Sequence, residues 1–218
     1  MGTITRGLAN NVTTAGRIAA SGISNSSVTA ITSFAGITGA DGSFTRLSTT
    51  TVSSATASVT MTGMDSTYKL YLIDYSGVAP VSDSVHLNCK FSSDNGTTFH
   101  AGMGSGLRQY NGESAGSEAI GMNGSAGAVQ GSTFTLITDC GNDADMGQCG
   151  QIWISNPAST SLTKMFRSTN VGHHSNDLCW TSWIDGYVNT TTAINSIQFL
   201  MASGNIAAGS FRIYGVTV

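Results

Sequence analysis

Residues 84–92 read SVHLNCKFS. Val85, Leu87, Cys89 and Phe91 fall on one side of an extended chain, and His86, Asn88 and Lys90 fall on the other. That period of two marks a strand with one face on a core and one in water, and it places Cys89 inside as a small apolar residue. The same texture recurs in both directions. Residues 44–52 and 55–61 are rich in Thr, Val and Ser, whose β-branched members favour the pleated chain. Residues 67–75 carry apolar groups on both sides, as in a strand covered on both faces. Further strands are expected over 132–138, 151–155, 162–168, 178–188, 194–201 and 210–218.

Turn pairs punctuate these runs: Asp41-Gly42, Asn95-Gly96, Asn111-Gly112, Asn123-Gly124, Asp185-Gly186 and Ser203-Gly204. Each pair tolerates the positive φ of a tight turn. No segment of any length carries the spacing of an amphipathic helix. Roughly eight to ten strands at hairpin spacing predict an all-β chain built as an antiparallel β-sandwich, with the jelly roll as the favoured two-sheet version.

Composition narrows the function. Gly, Ser and Thr account for 85 of 218 residues, and only 21 side chains are Asp, Glu, Lys or Arg. A net charge of −3 offers no cationic field for nucleic-acid phosphates, so no nucleic-acid partner is expected. No apolar run approaches the ~18 residues of a membrane span, so no membrane insertion is expected.

The chain changes character near residue 42. Before it, apolar residues stand singly among small polar ones, and Arg6, Arg17 and Asp41 are the only charges. Gly7, Asn10, Asn11 and Gly16 oppose the helix that the spacing of Ile4, Leu8 and Val12 would suggest. Such a segment is too poor in apolar surface to fold alone and too apolar for a solvating tail. Residues 1–42 are therefore expected to be an extended arm that orders against a partner, with Ile4, Arg6, Leu8, Val12, Arg17 and Ile18 as its attachment residues. Residues 43–218 are the sandwich. Within it, 101–131 form a Gly-rich excursion containing two weak strands, at 107–110 and 118–122. Its polar handles Arg108, Tyr110 and Glu113 are the candidate recognition surface, since long loops on a rigid sandwich often carry binding.

Catalytic chemistry is not visible. The acidic residues are scattered, no nucleophile sits in a recognisable context, and no phosphate-cradling loop precedes a helix. Asp143 and Asp145 in GNDADMG lack the glycine and distal glutamate of a calcium loop and read as a solvated turn. His173 and His174, five residues or so before Cys179, would point to opposite faces of an extended chain and read as a polar loop. Cys140 and Cys149 flank a turn-rich segment that could bring them into a disulfide, while Cys179 is expected to pack. Trp180 and Trp183 must occupy opposite faces of their strand, which leaves one of them exposed or in an interface. The expectation is a non-enzyme with no catalytic residues, no metal and no cofactor.

Three blocks carry a resemblance: FTRLSTTTVSSATASVTMTGMDSTYKLYLIDYSG at 44–77, VHLNCKFSSDNGTTF at 85–99 and AINSIQFLMASGNIAAGSFRIYGV at 193–216. Together they resemble tailed-bacteriophage virion proteins and tail-fibre-like domains, in which a Thr/Ser-rich opening strand precedes an STY segment and the chain closes on SGNIASG…LYGI. The start, MGTITRGLANN, is similar to the attachment arm of small phage structural proteins. The resemblance implies a homotrimeric capsid decoration or cement protein, assembled in the host cytoplasm and displayed on the outer surface of the virion. Its arm would grip the major capsid protein or another virion component. The alternative it implies is a tail fibre or receptor-binding protein that recognises a host surface glycan.

Overall fold

The computed structural model describes residues 44–112, 118–122 and 131–217. These residues form twelve strands and no helix: β1 (Phe44–Val52), β2 (Ser58–Thr62), β3 (Leu70–Pro80), β4 (Val85–Ser92), β5 (Gly102–Gly112), β6 (Glu118–Met122), β7 (Phe134–Cys140), β8 (Gln148–Ser155), β9 (Lys164–His174), β10 (Leu178–Val188), β11 (Ser196–Met201) and β12 (Ile206–Val216). Every pairing between them is antiparallel.

The order of pairing is that of a jelly roll. All twelve strands belong to one antiparallel sheet that folds over on itself at β9, so that β1-β12-β3-β8 form one side, called here the first sheet, and β2-β11-β4-β7 form the second. Taken in chain order, the eight strands of this frame change sheet at every step except from β4 to β7, which gives two Greek keys. Two hairpins are spliced into this frame: β5–β6 after β4, and β9–β10 after β8. They extend the first sheet beyond β8 in the order β9-β10-β5-β6, so that it is eight strands wide. A bridge between Cys140 and His174 ties β7 to β9 where the two sheets meet.

Aromatic rings hold the layers together. Phe199 of β11 lies 4.8 Å from Phe211 of β12 and 5.6 Å from Tyr75 of β3, centroid to centroid. Phe166 of β9 lies 5.1 Å from Phe91 of β4 and 4.9 Å from Phe134 of β7. All of these rings are buried, and each brings the large apolar area that makes aromatic pairs dominate such cores.

The strand expected over 84–92 is present from Val85, with Cys89 fully buried, and the closing hairpin is present with β12 starting at Ile206 rather than Ser210. Asn95-Gly96 and Ser203-Gly204 are turns, with φ of 60° at Asn95, 96° at Gly96 and 72° at Gly204. Asp94 knots the first of them. Its carboxylate accepts hydrogen bonds from the Thr98 and Thr97 amides (2.7 and 3.1 Å) and from the Ser92 hydroxyl, which holds its pKa down at about 2.

Three expectations need correction. The polar loop expected around His173 and His174 is the continuation of β9, and both residues pair with β10. Asn111-Gly112 is not a turn, since both residues pair with Cys179 and Leu178 at the end of β5. Asp185-Gly186 lies inside β10, where a Cβ on Gly186 would stand 2.4 Å from the Met103 carbonyl oxygen and 2.9 Å from the Phe166 ring. That glycine serves close packing rather than a reversal. Asp41-Gly42, Asn123-Gly124 and the proposed arm lie outside the described residues.

A polar knot crosses the sheet beside the aromatic core. Tyr75, Gly150 and Asn170 face one another across β3, β8 and β9. Because Gly150 has no side chain, the Tyr75 hydroxyl reaches over it and donates to Asn170 Oδ1 at 2.7 Å; a Cβ on Gly150 would sit 2.6 Å from that hydroxyl. Asn170 Nδ2 in turn donates to the Ser168 and Ser182 hydroxyls and to the Ser182 and Leu136 carbonyls at 3.1–3.4 Å. The network joins the added hairpin β9–β10 to both sheets of the jelly roll.

Candidate functional site

The sheet register decides which of the singled-out residues meet. On β10, Trp180, Ser182 and Ile184 point inward and are buried, while Cys179, Trp183 and Asp185 point outward. On β5 the matching inward positions include Arg108 and Tyr110, opposite Ser182 and Trp180. Arg108 and Tyr110, two residues apart on β5, thus share the inward side beside Trp180. Glu113 lies outside the described residues, as do Ile4, Arg6, Leu8, Val12, Arg17 and Ile18.

Two further residues complete this cluster. Tyr110 stacks on Trp180 from the β5 side, with centroids 5.4 Å apart and planes 12° apart. His174 stacks on it from the β9 side at 4.9 Å and 25°. The Arg108 guanidinium carbon stands 5.1 Å from the Trp180 ring centre, within cation–π range. With a ring on each side, Trp180 is 3% exposed and offers no open face to a sugar. Neither Trp180 nor His174 was assigned here from sequence, because the pairing of β9, β10 and β5 joins segments far apart in the chain.

His174 also links the stack to an acid. Its Nε2 lies 3.7 Å from Asp139 Oδ2, and Asp139 Oδ1 lies 3.9 Å from His86 Nδ1. The Asn176 amide donates to His174 Nδ1 at 3.0 Å, and the Asp139 amide donates to His86 Nδ1 at 3.0 Å. A neutral His174 therefore carries its proton on Nε2, toward Asp139. Burial lowers its pKa, with Arg108 acting in the same direction and Asp139 and Asp83 opposing. Because the folded chain holds this proton less tightly than the unfolded chain, stability falls as pH drops below about 6.5, and it goes on falling until His174 is protonated in the fold. Urea unfolding at pH 7.5 and pH 5 should show this loss, and His174→Gln should reduce it. An unchanged pH dependence in that variant would place the acid sensitivity elsewhere.

The outward side of the large sheet has a different character. Met103 and Leu107 of β5, Ile120 of β6, Met165 and Val171 of β9 and Trp183 of β10 are all exposed, Met165 to 57% and Trp183 to 40%. Across the same sheet, Phe44 of β1 packs edge-on to Trp153 of β8 at 6.1 Å and to Tyr214 of β12 at 6.4 Å. Beside them Arg212 Nη1 pairs with Asp74 Oδ2 at 3.1 Å. Trp183 is the exposed member that the alternation of β10 required. Single exposed apolar residues are ordinary, but here they stand in two cross-strand rows, Met103-Tyr187-Met165 and Leu107-Trp183, on either side of Ser105, Asp185 and Arg167, and such a concentration is a mark of contact.

The cysteines do not cross-link. All four are free: Cys140 is buried, with its thiol pushed up to about 12 by burial, whereas Cys149 and Cys179 are exposed. Cys179, expected to pack, faces outward with Trp183 because it shares that strand's outer parity. Asp143 and Asp145 are exposed, and among the described residues no group of three or more His, Cys, Asp or Glu side chains could hold a metal ion. No protein-family model, no curated protein and no solved structure matches the chain.

Proposed function

We propose that the chain is a non-enzymatic structural subunit of a phage virion, a capsid decoration or cement protein that self-associates and packs against neighbouring subunits. The observation that carries the assembly part of this reading is the exposed apolar band on the outer face of the eight-stranded sheet. The jelly-roll frame supports it, since two packed sheets give a rigid block with broad faces for lateral contact. The assignment to the virion rests on the sequence resemblance over 44–77, 85–99 and 193–216, and residues 1–42 are the arm that would grip the particle.

The test is to localise the protein on intact particles of the phage that encodes it, using antibody against the purified chain and electron microscopy. Label spread over the shell is the expected result. Label confined to the tail would select the alternative, a tail fibre or receptor-binding protein. That second reading is favoured by the groove of about 240 Å³ where Phe44 and Tyr214 stand beside Asp74 and Gln151. Apolar rings next to acceptor side chains are the means by which proteins hold sugars. Absence of label from particles would reject both.

A further inference from the structure

The outer face carries charge as well as apolar groups, and the pattern constrains what can cover it. Arg167 of β9 and Asp185 of β10 face each other in the register of that sheet. Both are exposed, and among the described residues neither makes an ion pair. Around them lie Met165 and Tyr187 in the row on one side, and Trp183 and Leu107 in the row on the other. The six strands centred on β9 and β10 (β3, β8, β9, β10, β5 and β6), about 4.8 Å apart, and six residues of rise from Met165 to Val171, give a footprint roughly 24 Å by 20 Å. Two such faces would bury on the order of 1,000 Å² in total, the least that a specific interface needs.

We infer that this face pairs with the same face of a second copy, about a two-fold axis lying in the interface and running parallel to β9 and β10. An axis in that direction exchanges the two strands, so Arg167 of each copy meets Asp185 of the other, and Met165 meets Tyr187. An axis across the strands would instead set Arg167 against Arg167 and Asp185 against Asp185. The charge pattern therefore selects the first arrangement, which is an isologous contact. It also resembles the aligned packing that sheets adopt within a sandwich. The inference rests on the self-association proposed above, and it replaces the three copies implied by the sequence resemblance with a pair.

Arg167→Asp and Asp185→Arg test it in the full chain. Each variant alone would place like charges across the contact and should weaken self-association at least about ten-fold in analytical ultracentrifugation. Mixed together, one variant offers an all-acidic centre and the other an all-basic one, so they should form a heterodimer in native mass spectrometry. Trp183→Glu, on the outward side of β10, should also yield monomers. A wild-type chain that stays monomeric up to about 100 μM, a trimer, or a dimer indifferent to all three substitutions would each overturn the inference. The particle-labelling result does not depend on any of them, so failure of this contact is distinguishable from failure of the virion assignment.

Discussion

Asn170→Leu is expected to lower the unfolding free energy by about 3–4 kcal/mol. The side chain is 1% exposed and accepts from the Tyr75 hydroxyl at 2.7 Å, while its amide nitrogen serves two hydroxyls and two carbonyls on β7, β9 and β10. Leucine fills a similar volume but satisfies none of these groups. Burial raises the Tyr75 phenol well above its usual pKa, so it persists as a neutral donor and would be left unpaired. Tyr75→Phe should cost less, about 1–2 kcal/mol, since it removes one donor and leaves one acceptor lone pair empty. The double variant should cost less than the sum, because each change already breaks the Tyr75–Asn170 bond. Urea unfolding of the four proteins reads this directly. A loss below about 1 kcal/mol for Asn170→Leu would mean that the knot is not what joins the β9–β10 hairpin to the jelly roll.

The same residues show how far sequence reasoning reaches. β1, β6 and β10 were legible to the residue, and β4 to within one, because alternation or β-branching is a local signal. β5 was seen only from Leu107 to Tyr110, because Gly102, Gly104 and Gly106 leave its first half with few side chains to read. Yet Gly102 has no room for a Cβ against the Tyr187 carbonyl of β10, and Gly186, opposite Gly104, has none either. Asn170 was not singled out, since its role depends on Tyr75 lying 95 residues away and on Gly150 between them. Arg108 and Tyr110 were named from composition. That they close on Trp180 and His174 could come only from register, which pattern within one strand does not encode. The outer face was half legible: opposite parities for Trp180 and Trp183 follow from the strand, whereas the row from Met103 through Tyr187 to Met165 needs three strands in order.

Lys164→Met is expected to cost about 2–4 kcal/mol, although it exchanges a charged residue for an apolar one of similar length in a buried position. Lys164 is fully buried at the start of β9, and its ammonium donates to the carbonyls of Ser159 (2.6 Å), Leu162 (2.9 Å) and Thr190 (3.1 Å). Among the described residues no carboxylate lies within ion-pair distance of it. Loss of solvation lowers its pKa, but three carbonyl dipoles converging on one nitrogen favour the charged form and match its three protons. Two of those carbonyls come from the β8–β9 connection and the third from the segment after β10, so the ammonium staples two loops. The staple is backed by Ile194, whose amide donates to the Pro157 carbonyl at 2.8 Å. Methionine would leave the three carbonyls facing a thioether that donates nothing. Hydrogen exchange should therefore accelerate first at the amides of Leu162 and Ile194, ahead of the core strands. Lys164→Arg should recover little, because a planar guanidinium cannot converge on three acceptors as an ammonium does. If Lys164→Met kept wild-type stability and protection at both amides, the carbonyls would have to be satisfied without the lysine, and its burial would be incidental to the fold.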